Sequence, residues 1–160
     1  MDATPEDSLA SRTSVEGLMV LRSLGKFFGL AGARVGFVLA WPELLARLNE
    51  TLGPWSVAYP ARHVARLALA DETWQVGERR RLARESTRLA ELLGRHGLPP
   101  AGGTALFQWV KCERALAIRD GLAQKGILVR GFDSPLGLRF GLPGAEAEWQ
   151  RLEQALRGLS

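Results

Sequence analysis

Three polar side chains in one glycine-rich stretch have types and spacing suited to a single chemical task. Lys26 stands at a strand-to-loop transition, with Ser23 three residues before it and Arg34 eight residues after it. A lysine amine can condense with an aldehyde, a hydroxyl can donate to a phosphate oxygen, and a guanidinium grips phosphate with a planar fork. The stretch therefore predicts a site for an aldehyde that carries a phosphate. The alternative interpretation is a surface lysine beside a glycine-rich turn.

Two further arginines, Arg130 and Arg139, stand among apolar neighbours on predicted strands. An arginine in such a position is costly to bury without a partner, so an anion is expected beside each of them. The bidentate guanidinium suits a carboxylate or a phosphate group. The alternatives are a carboxylate of the protein itself, or a surface arginine whose charged end reaches water.

Other residue types supply no competing site. His63 and His96 lie on or at the end of a predicted helix, where a surface or capping role is expected. No set of residues has the spacing of metal ligands, so no metal is predicted. Cys112 is the only cysteine, which excludes a disulfide within the chain.

Charge and hydropathy limit the expected partners and compartment. The net charge is +4, but the densest basic run, residues 79–81, belongs to a helical stretch whose solvated face explains it. No nucleic-acid-binding motif accompanies the charge. No apolar run reaches the roughly 18 residues of a membrane span, and the acidic N-terminus lacks the layout of a signal peptide. We therefore expect a cytoplasmic protein with neither a nucleic acid nor a membrane as partner.

Hydrophobic patterning predicts the elements that position these residues. Residues 1–17 are predicted to form a surface loop. A helix is predicted from Pro42 to a stop at Gly53, and a long amphipathic helix over residues 60–96, with Asp71 as the candidate breakpoint. Further helices are predicted over residues 114–125 and 145–156. Strands are predicted at residues 18–21, 35–40, 105–110, 127–130 and 138–140, and the first two are predicted to be buried.

The order of these elements predicts an α/β chain in two parts. Residues 1–55 hold two apolar strands but no sheet for them to join, and a lone pair of strands is only marginally stable. Residues 56–160 hold the long linking helix and then a small α+β domain, a sheet covered on one face. We interpret residues 1–55 as a remnant of a larger domain that carries the lysine motif.

The stretch from Arg22 to Gly36 resembles the active-site lysine motif of fold-type I enzymes that depend on pyridoxal 5'-phosphate (PLP), the aspartate aminotransferase superfamily. Residues 20–32, 52–57 and 138–144 are similar to the branch of histidinol-phosphate aminotransferases and threonine-phosphate decarboxylases, and most of all to the cobalamin-pathway decarboxylases. The likeness covers essentially the whole chain. It implies the C-terminal part of the PLP-dependent transferase fold, the end of the large domain plus the small domain.

The same resemblance implies a role for each candidate residue. Lys26 would bind the PLP aldehyde covalently and then move protons at the substrate α-carbon. Ser23 and Arg34 would bind the cofactor phosphate. Arg139 matches the arginine that binds the substrate carboxylate, and Arg130 matches an arginine near the substrate phosphate. The implied partner is a small phosphorylated amino acid, and the full-length enzyme is expected to be a homodimer.

The resemblance also sets an expectation about the chain's extent. In the family, an aspartate that keeps the PLP ring nitrogen protonated lies shortly before the lysine motif, and neither Asp2 nor Asp7 sits on an apolar strand. We therefore expect a C-terminal fragment, not competent alone, of an enzyme that decarboxylates L-threonine O-3-phosphate in cobalamin biosynthesis. The alternatives are histidinol-phosphate or aromatic aminotransfer, and a non-catalytic module that pairs with a separate N-terminal half.

Overall fold

The computed structural model describes residues 3–158. The chain divides into two compact units, Met1–Arg79 and Arg80–Ser160, and the division falls inside its longest helix. The predicted division at residues 55 and 56 concerns the parent fold and stays a prediction. Across residues 3–158, no helix combines the length and the apolar character that crossing a membrane requires.

The first unit is built around an antiparallel pair of strands. Strand β1 (Val20–Ser23) pairs with β2 (Gly36–Leu39) through the register Val20↔Leu39 to Ser23↔Gly36. Short 3-10 turns occupy Pro5–Asp7, Ala10–Arg12 and Ala31–Ala33, so the predicted loop over residues 1–17 contains two of them. Helices α1 (Pro42–Leu52) and α2 (Tyr59–Ala70) follow, and α3 (Glu72–Arg95) begins in this unit.

The prediction that both strands of the first unit are buried is wrong for the described chain. Leu21 is 68% exposed, and Met19 and Val38 are also exposed. A two-stranded sheet has two faces and no second sheet to cover them, so alternate side chains of β1 stay in contact with water. Strand β1 also starts two residues later than predicted, because pairing with β2 defines its limits rather than the apolar run.

The helix boundaries of the first unit follow local chemistry. Helix α1 begins at Pro42, as predicted, because proline tolerates the first helical turn. It ends at Leu52, where Gly53 takes a positive φ of 68° and donates its N–H to the Asn49 carbonyl.

The candidate break at Asp71 is confirmed. The Asp71 carboxylate accepts a hydrogen bond from the Trp74 N–H at 2.9 Å, which caps the start of α3. The Gln75 side-chain amide donates to the carbonyl oxygens of Ala68 and Leu69, at 3.3 and 3.0 Å. The last carbonyl groups of α2 are thereby satisfied, so the same corner ends one helix and starts the next.

Beyond α3, the elements of the second unit are β3 (Gly102–Thr104), β4 (Phe107–Lys111), α4 (Ala115–Gln124), β5 (Arg130–Asp133), β6 (Leu136–Gly141) and α5 (Glu146–Arg157). The four strands form an antiparallel sheet in the order β3–β4–β6–β5, and the helices pack with it. The predicted helices over residues 114–125 and 145–156 agree to within one residue at each end. The sheet and helices together confirm the expected α+β arrangement of this part of the chain.

Strand β5 differs most from the prediction. The apolar run 127–130 was expected to be a strand, yet pairing with β6 starts only at Arg130 and continues to Asp133. The Ile127 N–H donates to the Leu122 carbonyl, and Gly126 takes a φ of 70°, so residues 127–129 complete the exit from α4. Leu128 is accordingly exposed.

Strand alternation separates the two faces of this sheet. On β6, Leu138 and Phe140 are buried, whereas Arg139 between them points to the other face. The buried face joins the helices in one hydrophobic core. Its members are Leu89, Leu92, Leu93, Leu98, Val110, Ala115, Ile118, Leu122, Leu138, Phe140, Trp149, Leu152, Ala155 and Leu156. The core fixes the register of β6 and therefore the direction of Arg139.

Candidate functional site

The predicted lysine lies in a closed loop between β1 and β2, which we call the lysine loop (residues 23–35, counting Ser23 at the end of β1). The Leu24 N–H donates to the Val35 carbonyl at 3.4 Å, next to the Ser23↔Gly36 pair. Deeper in the loop, the Leu30 N–H donates to the Leu24 carbonyl at 2.9 Å. The loop is thus folded back on itself by main-chain hydrogen bonds, although no regular element spans it.

Lys26 is exposed while its neighbours are buried. Leu24, Phe27 and Phe28 all face the interior of the first unit, and the Gly29 N–H donates to the Lys26 carbonyl at 3.0 Å. Within residues 3–158 the Lys26 ammonium has no hydrogen bond or ion pair. Its main chain is therefore anchored, and its amine is available to an incoming carbonyl compound.

Ser23 stands at the end of β1 with a hydroxyl already oriented. Its Oγ accepts a hydrogen bond from the Gly25 N–H at 3.1 Å, which leaves the hydroxyl proton to donate elsewhere. Gly25 itself passes very close to the returning chain: a Cβ at this position would lie 3.2 Å from the Ala31 Cα. A side chain there would require the two halves of the loop to move apart by a few tenths of an ångström, so the close approach favours glycine.

Arg34 has an unusual backbone. Its φ of 51° and ψ of 39° lie in the left-handed region, and among residues 3–158 it is the non-glycine residue with a positive φ. Such a conformation costs on the order of 1 kcal/mol for a residue with a Cβ, and strain of this kind concentrates at functional sites. The guanidinium is exposed and pairs with no carboxylate of the described chain. The strain and the free guanidinium together favour an external anion.

The charge around the lysine loop has one sign. Between Glu16 and Glu43 the sequence contains no acidic residue, while Arg22, Lys26 and Arg34 are cationic. An ammonium, a hydroxyl proton and a guanidinium are therefore offered on one loop with no protein anion nearby in sequence. These donors fit a phosphate that carries an aldehyde, since phosphate takes both hydroxyl and guanidinium donors.

The other two candidate residues form what we call the arginine pair (Arg130 and Arg139). They are direct cross-strand partners on β5 and β6, so both side chains emerge on the same face of the sheet. Arg139 is half-buried and Arg130 exposed, and neither has a hydrogen bond or an ion pair within residues 3–158. Like charges placed opposite each other destabilise a sheet, and a bound anion would offset that repulsion.

Aromatic rings support the arginine pair from the same face. The Arg139 guanidinium lies 4.3 Å from the centroid of the Phe107 ring, and the Arg130 guanidinium 5.1 Å from that of Phe132. Both distances are within the range of cation–π attraction. Trp109, the β4 neighbour of Arg139, meets Phe132 edge to face at 5.1 Å. These rings were not identified from the sequence as neighbours of the arginine pair. Phe107 and Trp109 alternate with the buried residues of β4, and this alternation is the signal that could have identified them.

Other acidic and metal-binding candidates give no site. Asp2 lies outside the described residues, and Asp7 ends an exposed 3-10 turn. Throughout the described chain, no group of three or more histidine, cysteine, aspartate or glutamate residues is placed to hold a metal ion. The candidate residues thus fall into two sets, the lysine loop set in the first unit and the arginine pair in the second.

Comparison with known proteins gives this arrangement its family. A family model described as aminotransferase class I and II matches residues 2–157, and the chain belongs to that family. It is 56% identical over 158 residues to a threonine-phosphate decarboxylase of Pseudomonas aeruginosa, covering 99% of this chain and 48% of that protein. It is 39% identical to a threonine-phosphate decarboxylase of a Sinorhizobium species, covering 97% and 46%. The chain therefore spans about half the length of the curated relatives it matches.

A solved structure supports the fold over the same extent. The crystal structure of histidinol-phosphate aminotransferase from Sinorhizobium meliloti, in complex with pyridoxal-5'-phosphate, matches with a TM-score of 0.86 and 25% identity. The match covers 99% of this chain and 47% of that one. The predicted α/β fold class, as part of the aminotransferase fold, is confirmed.

Proposed function

We propose that this chain supplies the lysine-bearing, C-terminal half of a PLP-dependent threonine-phosphate decarboxylase of cobalamin biosynthesis. The reaction would convert L-threonine O-3-phosphate to (R)-1-aminopropan-2-yl phosphate. The observation that carries the proposal is the lysine loop, which presents an unpaired amine, a donor hydroxyl and a free guanidinium together. The 56% identity to a threonine-phosphate decarboxylase across nearly the whole chain supports the choice of reaction.

The residues of the lysine loop fit PLP group by group. Lys26 would hold the aldehyde carbon through Nζ, and the Ser23 hydroxyl and Arg34 guanidinium would hold the phosphate. When bound, PLP supplies an electron sink that stabilises negative charge at the substrate α-carbon. Lys26 Nζ would also deliver a proton to the substrate α-carbon.

The arginine pair would bind the two anionic groups of the substrate. Arg139 would take the carboxylate and Arg130 the phosphate, each through a guanidinium that makes no hydrogen bond or ion pair in the described chain. Phe107 and Phe132 limit the directions in which these guanidinium groups can reach. The substrate would thus be a small phosphorylated amino acid, oriented by a pair of adjacent cations.

Histidinol-phosphate aminotransfer is the alternative reaction on the same residues. The similarity of this chain to the histidinol-phosphate aminotransferase structure from Sinorhizobium meliloti supports this alternative. Both reactions break a bond at the substrate α-carbon, and the orientation of the substrate decides which bond breaks. A displacement of about 1 Å changes rates by roughly 100-fold, so the reach of Arg130 and Arg139 would govern the outcome. An assay of the whole protein with L-threonine O-3-phosphate should release CO2. Formation of an oxo acid instead would favour aminotransfer.

Labelling of the three lysines tests the cofactor assignment directly. The chain holds Lys26, Lys111 and Lys125, and reduction with borohydride after incubation with PLP makes any lysine adduct permanent. Peptide mass spectrometry should find the adduct at Lys26 and little at Lys111, which is equally exposed to solvent. Before reduction, Lys26→Ala should lack the visible absorbance that the wild-type chain gains with PLP. Equal labelling of Lys26 and Lys111 would contradict the assignment.

A non-catalytic pairing module is the second candidate function, and the exposed apolar surface of the first unit favours it. Trp55 is 85% exposed and Tyr59 is 74% exposed, in addition to Leu21 on β1. Apolar side chains of this size in water mark a surface that another chain covers. Co-expression with the N-terminal half of a relative, followed by size exclusion, should yield a stable complex if this candidate is right.

The oligomeric state and compartment follow as further parts of the proposal. We place the whole enzyme in the cytoplasm as a homodimer, in line with the family resemblance of the lysine motif. Sedimentation of the whole protein should give twice the mass of one chain, and a monomer with full activity would exclude the dimer.

A further inference from the structure

An aromatic cluster (Phe27, Phe28 and Trp74) underlies the lysine loop. The Phe27 and Phe28 rings meet edge to face at 5.0 Å. Trp74, from the first turn of α3, stacks on Phe28 at 5.7 Å with an interplanar angle of 19°, and meets Phe27 edge to face at 5.5 Å. The two residues that follow Lys26 are therefore both in contact with one tryptophan from a distant part of the sequence.

The cluster bears directly on where Lys26 stands. Phe27 is bonded to Lys26 and both phenylalanines are buried, so the peptide plane after Lys26 moves only if the cluster does. Elsewhere the loop is restrained by main-chain hydrogen bonds, such as Leu30 N–H to the Leu24 carbonyl, and by contacts between its 3-10 turn (Ala31–Ala33) and α2. The contacts with α2 act on the far side of the loop from Lys26 in sequence. Trp74 ties the two residues that follow Lys26 to α3.

Trp74 is itself held by the corner between α2 and α3. The main-chain N–H of Trp74 donates to the Asp71 carboxylate. The side-chain amide of Gln75 donates to the carbonyl oxygens of Ala68 and Leu69, near the end of α2. One turn further along, the Arg79 guanidinium lies 5.4 Å from the Phe27 ring centroid and donates to the Gln75 side-chain oxygen at 3.2 Å. The start of α3 is thus a fixed platform under the lysine loop.

We propose that Trp74 is a positioning residue for Lys26: by clamping Phe27 and Phe28, it fixes the main chain from which the reactive amine extends. The inference rests on the proposed function of Lys26. It adds a residue that does not touch cofactor or substrate and acts through the aromatic cluster.

Two readouts test this role. Hydrogen exchange of the Leu30 amide reports closure of the lysine loop without any cofactor, and borohydride trapping of PLP reports how fast Lys26 reacts. In Trp74→Ala, Leu30 exchange should rise by roughly 10-fold, while amides of β4 and β6 in the second unit keep their wild-type rates. The rate of trapping at Lys26 should fall by about 10-fold or more, because reaction rates are sensitive to small displacements.

Matched variants separate positioning from simple burial. Trp74→Phe keeps a ring on Phe28 and should restore most of the trapping rate, whereas Trp74→Leu keeps apolar volume but no ring and should not. Val76→Ala is the control, since Val76 lies on the same helix and is 45% exposed, against 41% for Trp74. It should leave both readouts unchanged. Equal behaviour of the Phe and Leu variants would overturn the proposal.

The two readouts also separate this inference from the proposed function. If wild-type Lys26 takes up no PLP but Leu30 exchange still responds to Trp74→Ala and recovers in Trp74→Phe, the cofactor assignment fails and the clamp stands. If Lys26 is trapped normally in every Trp74 variant, the clamp fails and the cofactor assignment stands.

Discussion

Within residues 3–158, the lysine loop and the arginine pair both present cations without acidic partners, but on different supports. Lys26 and Arg34 extend from a loop whose own hydrogen bonds close it, beside a two-stranded sheet with exposed apolar residues. Arg130 and Arg139 extend from paired strands of a four-stranded sheet with a packed core behind it. Loop sites adjust more readily than strand sites. The difference suggests that the lysine loop is the more adjustable of the two supports and that the strands of the arginine pair are the more rigid.

The supports differ in what a mutation would disturb. On β6, the residues on either side of Arg139 are buried in a close-packed core. The main chain of Arg139 is therefore held in place by its neighbours. In the lysine loop, the corresponding anchor is one tryptophan and two phenylalanines. We expect substitutions near the arginine pair to act through stability, and substitutions near the lysine to act through reactivity.

The largest predicted effect contrasts the same substitution on a strand of each unit. Leu138→Ala on β6 removes a side chain with 0% exposure and should lower the free energy of unfolding by about 2–5 kcal/mol. Leu21→Ala on β1 removes an exposed side chain and should change it by no more than about 0.5 kcal/mol. Urea denaturation of both variants measures the difference. A loss of similar size in the two variants would show that the strands are supported alike.

A glycine contrast gives the next largest effect. A Cβ on Gly137 would lie 2.7 Å from the Trp109 ring and 2.5 Å from the Val110 carbonyl oxygen. Gly137→Ala should therefore destabilise the protein by about 1–3 kcal/mol. Gly77→Ala on α3, where a Cβ meets nothing within 4 Å, should stabilise it by roughly 0.5–1 kcal/mol. Opposite signs in thermal denaturation would support the packing of Trp109 over Gly137, and matching signs would count against it.

Arg34 offers a smaller contrast within the lysine loop. Arg34→Gly removes the penalty of a positive φ, whereas Arg34→Ala keeps it. The glycine variant should be more stable than the alanine variant by about 1 kcal/mol, less the entropy that glycine adds to the unfolded chain. Both should bind PLP more weakly than wild type, measured by titration of its absorbance. Equal binding by all three proteins would remove Arg34 from the phosphate site.

The smallest predicted effect concerns pH and the second unit. Both nitrogens of the Arg88 fork donate to the Glu146 carboxylate, at 2.7 and 2.6 Å, and this hydrogen bonding lowers the pKa of Glu146. A carboxyl group whose pKa is lower in the folded state contributes stability above its ordinary range, near 4.3, and loses it as the pH falls through the folded value. Because the pair is exposed, the effect should be slight.

Comparing wild type with Glu146→Gln isolates that contribution. The difference in melting temperature should be present at pH 7, shrink towards pH 3 and shrink again in high salt, because exposed charges are screened. A difference that persists unchanged at pH 3 would assign it to something other than the ion pair.

Local chemistry made parts of the fold predictable. Pro42, Gly53 and Asp71 set helix limits through interactions within a few residues, so the sequence alone could place them. Strand limits depend on partners far along the chain. Gly102–Thr104 forms a strand because it pairs with β4, and Ser86 Oγ donates to the Thr104 carbonyl; three such residues carry no apolar pattern to predict it. The shift of β5 has the same cause.

The candidate site was predictable to a similar degree. Residue type and spacing identified Ser23, Lys26 and Arg34 as a set, and those assignments stay predictions until the cofactor is tested. The left-handed backbone of Arg34 was beyond sequence reasoning, since arginine has no preference for that region. The adjacency of Arg130 and Arg139 requires the β5–β6 register. The contact of Trp74 with Phe27 and Phe28 requires the tertiary fold.

The alternation along β6 has a consequence for how such a protein changes over generations. Positions 138 and 140 pack in the core, whereas positions 139 and 141 lie on the open face of the sheet. Selection for stability and selection for ligand choice therefore act on separate positions of a single strand. Under the proposed function, a lineage could exchange one recognised anion for another by single substitutions at the open positions, with no compensating change inside.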